Sequence, residues 1–262
     1  MRNFIVVMVL LFLGACQPDT EQSKEGDVRV ISLSPGITHT IIDAGFSDLL
    51  VGRSPFCFLA NQELPVVGDL RTIDYERLLR LSPTHVIVQA TASGVDGHLL
   101  ALSVQNNFEL HAWPLDRVSD IKTVYGNITR MFGGKKLPLE IQVVKKENES
   151  VSSPVLVITQ GTEGSAGLSF GRDTYIDDLL QEMGIENVVH QSGWVSLSLE
   201  DIGRLHPEAI YVVSDSKIND ASLNALRSVG YRVIPFVHEH ILVPSSYIVD
   251  VAKRFQEVSI EQ

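Results

Sequence analysis

Short runs of β-branched and other apolar residues recur along the chain, and segments with apolar residues at helical spacing lie between them. Each run predicts a buried strand. The predicted strands lie at Val30–Ile31, Val86–Val88, Leu110–Trp113, Val155–Ile158, Ile210–Val213 and Arg232–Phe236. Because strands alternate with helices, we expect an α/β fold with parallel sheets and helices on their faces.

The pattern occurs twice, with an offset of 124 residues. Residues 73–88 align without a gap on residues 197–212, so that Glu76 matches Glu200 and Arg80 matches Arg204. Each copy predicts a short amphipathic helix that ends before a proline and is followed by a buried strand. The repeat therefore predicts two similar α/β lobes.

The segment between the two copies predicts two further helices. Asp120–Phe132 has apolar residues on one face, and Gly133-Gly134 ends it. Lys135–Glu149 is helical in pattern, with Pro138 tolerable in its first turn. We therefore expect an N-terminal lobe at 28–134, a connecting helix at 135–153 and a C-terminal lobe at 154–262.

The start of the chain has the features of a secretory signal. The ten apolar residues Phe4–Leu13 follow Arg2, and they span only about half of a ~30 Å hydrocarbon core. Leu13-Gly14-Ala15-Cys16 resembles the lipobox of bacterial lipoproteins, which implies removal of residues 1–15 and lipidation of Cys16. An ordinary signal peptide with an incidental cysteine is the alternative. Residues 16–27 are polar and predict a flexible, lipid-anchored tether on an extracytoplasmic protein.

Composition excludes several classes of protein. The net charge is −11, from 21 Lys+Arg against 32 Asp+Glu, which argues against nucleic-acid binding. If Cys16 is the anchor, Cys57 has no partner for an intramolecular disulfide. We find no phosphate-loop or His-Glu-x-x-His motif. A Cys57–His nucleophile pair lacks any residue pattern that positions a base, so we do not expect an enzyme.

Several motifs and their order point to one family. They are Arg29–Pro35, Leu50–Gly52, Leu64–Gly68, Tyr175–Leu180 and Met183–Val188, together with the repeat. Over Val28–Phe255 the chain resembles the substrate-binding proteins of bacterial ABC importers for iron siderophores, haem and vitamin B12. The resemblance implies two Rossmann-like lobes joined by one helix, a ligand cleft between them, no intrinsic cofactor, and a monomer that delivers its ligand to a permease dimer. A surface sensor or adhesin on the same fold is the alternative.

The resemblance also implies a role for two glutamates. In vitamin B12-binding relatives, glutamates at the positions of Glu76 and Glu200 project from the lobe tips and pair with permease arginines. One carboxylate on each lobe would set the register on a two-subunit permease. The alternative is a solvated glutamate paired with Arg80 or Arg204 four residues on.

The first lobe offers three candidate ligand-binding segments. Ser34 and Pro35 precede a helix, whose first amide groups can bind an anion, although simple helix capping explains them equally well. Phe56 and Cys57 lie in an Arg-Ser-x-x-Cys run that some vitamin B12-binding relatives share, which favours a corrinoid ligand. Trp113 follows a strand and is either near the cleft mouth or in the core.

The second lobe offers two more. Trp194 matches a tryptophan that lines the pocket of a vitamin B12-binding relative, with core packing as the alternative. Arg172 would meet an acidic group of the ligand, unless Asp173 or Thr174 simply caps the next helix. Haem and ferric siderophores are the alternative ligands.

His238-Glu239-His240 has the composition of a metal site. Two histidines are too few for a closed site, so we expect a solvated loop and no metal. If haem were the ligand, His238 or His240 would be a possible axial ligand, and the sequence assigns neither a role.

Overall fold

A computed structural model describes residues 28–134, 139–142, 154–161 and 167–260, without the side chains of Ser222, Ser259 and Ile260. Cys16, the predicted signal peptide and the predicted tether lie outside these ranges. In the part of the chain that the structure describes, no helix combines the length and the hydropathy needed to cross a membrane.

The first lobe is built on a four-stranded sheet whose strands are all parallel, in the order β2-β1-β3-β4. Its elements are β1 (Val30–Ser32), α1 (Pro35–Asp43), a 3₁₀ turn (Ser47–Leu49), β2 (Leu50–Arg53), α2 (Tyr75–Arg80), β3 (His85–Gln89), α3 (Gly97–Asn106), β4 (Glu109–Trp113) and α4 (Val118–Met131).

The second lobe is built on a five-stranded sheet, in the order β7-β6-β5-β8-β9. Its elements are β5 (Val155–Thr159), β6 (Leu168–Phe170), α5 (Tyr175–Met183), β7 (Trp194–Ser196), α6 (Leu199–Leu205), β8 (Ala209–Ser214), α7 (Asp220–Ser228), β9 (Val233–Val237) and α8 (Ile248–Ile260).

The prediction of parallel sheets is confirmed for the first lobe and needs correction for the second. Strands β5, β8 and β9 are parallel, whereas β6 and β7 run antiparallel to their neighbours. Only eight residues separate β5 from β6. A parallel crossover needs about a dozen residues or more, so the chain must return antiparallel here.

The predicted repeat is present in the structure. Helices α2 and α6, strands β3 and β8, and strands β4 and β9 occupy corresponding positions in the two lobes. Ser82 and His206 follow α2 and α6, and both have left-handed backbone, with φ of 45° and 50°. Each precedes a proline, which disfavours the right-handed helical region and ends the helix.

The buried strands explain the unbroken apolar runs of the sequence. In β3, Ile87 joins the central hydrophobic cluster, while Val86 and Val88 join a second cluster on the opposite face of the sheet. In β5, Val155 and Val157 likewise join the central cluster, whereas Leu156 and Ile158 pack on the outer face. Both faces of each sheet are therefore covered, as expected for parallel strands.

The central cluster belongs to both lobes. It contains residues from α1 and α4 of the first lobe and from α5 and α8 of the second. The two lobes consequently pack against each other through this shared cluster.

Most of the predicted connecting helix lies outside the described residues. Residues 139–142 are described and form neither helix nor strand. Leu139 and Ile141 pack against the central cluster. The connecting helix and the lobe boundaries stay predictions.

Candidate functional site

A cleft of about 640 Å³ lies between the two lobes. Gln89, at the end of β3, and residues 115–117 and 120, around the start of α4, line it from the first lobe. Residues 173–175, 192–194, 242 and 244 line it from the second. The cleft therefore lies beyond the carboxyl ends of parallel strands, where α/β proteins commonly bind ligands.

Trp194 provides the largest aromatic surface in the cleft lining. It is the first residue of β7, pairs with Phe170 of β6 and remains 45% exposed. The Trp194 and Phe170 ring centroids are 4.2 Å apart, and Tyr175 lies nearby at 6.5 Å. The indole is thus supported by buried rings and still presents surface to the cleft.

Tyr175 contributes a surface whose hydroxyl is already bonded. The side chain is buried, and its hydroxyl donates to the Ile241 carbonyl at 2.7 Å. Burial raises the pKa of Tyr175 above its usual range. The phenol therefore remains protonated.

Arg117 joins the two lobes beside the cleft. It precedes α4, and its Nε donates to both carboxylate oxygens of Asp178 in α5, at 2.9 and 3.0 Å. Its Nη1 lies 2.5 Å from Asp173 Oδ1. The bonds to Asp178 raise the pKa of Arg117. Sequence reasoning missed this bridge, because no local motif connects residues 61 positions apart.

The rest of the charged cleft lining is acidic. Asp116, Asp120 and Asp173 line it, and partial burial together with Asp120 raises the pKa of Asp116. The Asp120 carboxylate accepts from the Arg117 backbone amide at 2.9 Å. Because Arg117 is paired with Asp173 and Asp178, the cleft favours hydrogen-bond donors or positive groups over polyanions.

Ser34 and Pro35 lie one layer behind the cleft. Ser34 is fully buried, caps α1 by accepting from the Ile37 amide, and donates to Gln89 Oε1 at 3.4 Å. Pro35 is the first residue of α1. Neither is part of the cleft lining. Their geometry is that of the capping alternative, with Gln89 between Ser34 and the cleft.

The two ligand-binding candidates in the loop after β2, Phe56 and Cys57, differ in exposure. Phe56 is exposed, as is the neighbouring Phe58, which the sequence analysis missed. Cys57 is fully buried, with its sulfur 3.0 Å from Thr38 Oγ1. The parallel β2 ends at the cleft edge of the sheet, so this loop lies on the cleft side.

Trp113 and Arg172 are outside the cleft lining. Trp113 is half-buried at the end of β4, packs against the central cluster and has its ring 5.3 Å from that of His111. Arg172 is exposed. Thr174 caps α5 by accepting from the Asp177 amide, which is the capping alternative considered for this segment.

Glu76 and Glu200 occupy equivalent exposed positions. Each lies in the first turn of its helix, α2 or α6. Glu76 pairs with Arg80 at 2.5 Å, and Glu200 pairs with Arg204. All four side chains are largely exposed, so these pairs contribute little stability and leave the carboxylates accessible.

The expected solvated loop at residues 238–240 is wrong for His240. That side chain is buried and stacks on Tyr247 at 4.1 Å, while His238 is half-buried. His39 of α1 is also buried, with its ring 5.6 Å from His240. Burial, reinforced by His240, lowers the pKa of His39 to about 4. The packing of α1 against the second lobe creates this group, which lies outside the cleft lining.

Comparison with known proteins finds similarity to periplasmic binding proteins and to an ABC transporter substrate-binding lipoprotein. Residues 138–236 match the periplasmic binding protein family. The uncharacterised ABC transporter substrate-binding lipoprotein YvrC of Bacillus subtilis is 22% identical over 210 residues. That match covers 74% of this chain and 66% of YvrC.

Solved structures share the fold over nearly the whole described chain. The periplasmic haem-binding protein HutB of Vibrio cholerae has a TM-score of 0.70 and 20% identity, covering 88% of this chain and 98% of HutB. The haem-binding RhuT of Roseiflexus sp. RS-1 has a TM-score of 0.62 and 18% identity, with coverages of 89% and 99%. The vitamin B12-binding BtuF of Vibrio cholerae has a TM-score of 0.60 and 18% identity, with coverages of 88% and 96%.

The chain shares its two-lobed fold with these solved structures, and its family match lies largely in the second lobe. These matches support the resemblance to periplasmic binding proteins that the sequence indicated. The relatives do not favour the expected corrinoid over haem.

Proposed function

We propose that this protein captures a corrinoid in the interlobe cleft and delivers it to the permease dimer of an ABC importer. The observation that carries the choice of ligand is the lining of the cleft. It combines the exposed face of Trp194 with acidic and amide groups, and the arginine among the described lining residues, Arg117, is already paired.

The charge of the cleft supports a ligand rich in hydrogen-bond donors. The macrocycle of cobalamin is fringed by amide groups, which can donate to Asp116, Asp120 and Gln89. Haem propionates and anionic ferric siderophores would meet carboxylates instead. Such a ligand would gain little from Arg117, because the guanidinium is bonded to Asp173 and Asp178.

The described lining residues offer no free axial ligand for haem iron, which supports the same choice. The described residues that line the cleft include no His, Cys or Met. The hydroxyl of Tyr175 is bonded to the Ile241 carbonyl. Protein-bound haem iron is usually held by one of these side chains, whereas a cobalamin carries its own axial base. Haem remains the second candidate because HutB and RhuT share the fold.

Size and apolar surface fit a large flat ligand. The cleft volume of about 640 Å³ is within the usual range for ligand pockets. A complete corrinoid would fill it and extend toward the mouth. There, exposed Phe56 and Phe58 offer apolar surface beside the sheet edge.

A ligand-retention experiment tests the proposal. The purified protein is mixed with cyanocobalamin, haemin or a ferric siderophore, desalted, and examined by absorbance. We expect retention of cyanocobalamin. Retention of haem alone would overturn the choice of ligand, and retention of none would count against a receptor.

Two tryptophan variants locate the site. Trp194→Ala removes the cleft indole and should weaken cyanocobalamin binding about tenfold or more, the usual cost of a buried aromatic anchor. Trp113→Phe is the matched control, because Trp113 is outside the cleft lining and should leave affinity unchanged. Equal losses in both variants would contradict the assigned site.

We also propose that lipidation of Cys16 holds the protein at the membrane. More than one acyl chain gives stable anchoring. Cys16→Ser should therefore move the protein from the membrane fraction to the soluble fraction without changing ligand affinity. A membrane-bound Cys16→Ser variant would contradict the anchor.

A further inference from the structure

Three potential metal ligands meet at the end of the first-lobe sheet that is remote from the cleft. His85 begins β3, Glu109 begins β4, and His111 lies two residues further along β4. The ligand atoms of the three residues all lie within 4.8 Å of one another. The sequence offered no sign of this group, because Glu109 lies 24 positions after His85.

Strand register explains the meeting. His85 pairs directly with Glu109, and His111 pairs with Ile87 in the same parallel ladder. Because side chains alternate along a strand, Glu109 and His111 project from the same face as His85. The His85 and His111 rings stack with centroids 5.9 Å apart, and Phe132 packs against His85 at 5.4 Å.

The imidazoles are oriented with one nitrogen toward the common centre. Thr84 Oγ1 lies 2.8 Å from His85 Nδ1, which leaves His85 Nε2 on the side of Glu109, at 3.9 Å. His111 Nε2 is buried, lies 3.2 Å from Glu109 Oε2 and makes no hydrogen bond of acceptable geometry. Histidine ligands are commonly fixed by an oxygen that accepts from the distal ring N–H, and the Thr84 hydroxyl is placed to be that acceptor for His85.

Burial and charge suit a cation. The side chains of His85 and His111 are 14% and 22% exposed, and Glu109 is 67% exposed. Neutral imidazoles can donate a lone pair to a metal, and the exposed carboxylate leaves an entry path from solvent.

From this geometry we propose that His85, Glu109 and His111 form a binding site for a divalent transition metal, with zinc as the best match. A His₂Glu set suits Zn²⁺, and it leaves a fourth position open for water or another ligand. Tetrahedral zinc with bonds of about 2.0 Å places its ligand atoms roughly 3.3 Å apart. The His111–Glu109 pair is already at this separation. The His85–Glu109 pair reaches it through a small side-chain rotation.

The proposed site is separate from the ligand cleft. Gln89, which lines the cleft, is four residues along β3 from His85, a distance of roughly 13 Å at ~3.3 Å per residue. In β4, Trp113 pairs with Gln89, and its ring contacts that of His111 two residues earlier. Metal binding can therefore be measured without occupying the cleft, and its failure would leave the proposed transport function intact.

Titration calorimetry of the tag-free, chelator-treated full chain with ZnCl₂ tests the proposal. We expect one Zn²⁺ per chain. His111→Gln removes a direct ligand and should weaken affinity about 100-fold or more, while Thr84→Val should weaken it roughly 10- to 100-fold by releasing His85. His98→Gln is the matched control, because it removes an exposed imidazole of the same lobe and should have no effect.

A second measurement uses Trp113 as a local reporter. The chain has two tryptophans, so Trp194→Phe leaves Trp113 alone. Cu²⁺ bound at His111 should quench the fluorescence of Trp113 saturably. Glu109→Gln changes an exposed side chain and is safe for folding, and it should shift the quenching curve to higher Cu²⁺ concentrations.

Absence of one-to-one Zn²⁺ binding would overturn the proposal and leave the imidazoles as a stacked cross-strand pair. Unchanged affinity in both His111→Gln and Glu109→Gln would also overturn it. So would an equal loss in His98→Gln. Circular dichroism of each metal-free variant distinguishes loss of the site from loss of the fold.

Discussion

At the scale of the residue, Gly36 fixes how closely the two lobes approach. It lies in the first turn of α1, and a Cβ built on it would be 2.1 Å from the Pro244 carbonyl oxygen of the second lobe. Leu115 would be at 2.8 Å. Any side chain at Gly36 would therefore displace the backbone at Pro244. Because the protein interior is closely packed, this displacement costs folding free energy.

Gly36→Ala should therefore destabilise the protein by about 1–3 kcal/mol, the usual cost of overpacking. Gly97→Ala is the matched control, since Gly97 begins α3 and has open space around its Cβ position. It should be neutral or stabilising by up to about 1 kcal/mol. Urea unfolding measures both, and similar effects of the two changes would contradict the argument.

His39 makes stability depend on pH. Its pKa is lowered from 6.5 to about 4 by burial and by His240. In this window the unfolded chain binds more protons at His39 than the folded chain, so stability rises with pH. The contribution is complete above pH 6.5 and is lost as pH falls toward 4, with an upper limit of about 3 kcal/mol.

Urea midpoints at pH 7.5 and pH 5 test this expectation. His39→Phe keeps a ring for the contacts with Tyr247 and should reduce the pH dependence. His190→Gln, at an exposed position, should not. Burial also lowers the pKa of His85 and His238, so part of the slope should persist in His39→Phe. An unaltered slope would show that His39 does not cause it.

At the scale of the element, the start of α4 is held by α5 of the other lobe. Asp178 accepts from Arg117 and from the backbone amide of Val118, the first residue of α4. Asp120 completes the end by accepting from the Arg117 amide. The pairing therefore links a helix cap, an ion pair and the interlobe boundary.

A double-mutant cycle on Arg117 and Asp178 measures this link. Asp178→Ala should cost about 2–4 kcal/mol and Arg117→Ala somewhat less, because only the first change also leaves the Val118 amide without its acceptor. The coupling free energy should be about 1–3 kcal/mol. Arg254 and Glu257, an exposed pair on α8, provide the control cycle, with coupling below about 0.5 kcal/mol. Equal coupling in the two cycles would contradict the link.

The order of the elements was largely predictable from the sequence, and so was the parallel direction of most strands. The antiparallel direction of β6 and β7 was not. Helical spacing and β-branched runs predicted the helices and strands of the repeat, because these patterns follow from local geometry. The strands β6 and β7 have only three residues each. Such short strands have little periodicity, and their antiparallel direction depends on partners elsewhere in the sheet.

At the scale of the whole molecule, the two lobes share one hydrophobic cluster, and each lobe has an exposed glutamate at the corresponding position of the repeat. Glu76 and Glu200 are separated in sequence but equivalent in the two lobes. A permease with two subunits could be contacted once by each. This geometry is the reason to expect that the two carboxylates act together.

The Glu76→Ala, Glu200→Ala double variant should leave ligand affinity unchanged and weaken transporter association roughly tenfold, mainly through slower association at low salt. The control is Glu63→Ala with Glu208→Ala, which removes one exposed carboxylate from each lobe outside α2 and α6. Binding to permease in detergent or nanodiscs measures both. Association as strong as that of the unaltered protein would contradict the docking role.

The candidate site was predictable only in part. Sequence reasoning selected Trp194, which lines the cleft, but it also selected Ser34 and Cys57, which are buried behind the surface. It missed Arg117, whose partners come from another lobe. Sequence distance from a strand end indicates the edge of the sheet, whereas rotamers and loop packing decide which side chain reaches the cleft.

By itself the sequence determined the two-lobed α/β plan, the repeat and the helix ends before Pro83 and Pro207, because periodicity and proline act within a few residues. Only the tertiary structure decided the acidic cleft, the Arg117–Asp178 bridge and the group formed by His85, Glu109 and His111. These features require side chains from distant segments to meet. Their positions depend on strand register and lobe packing, which no local pattern specifies.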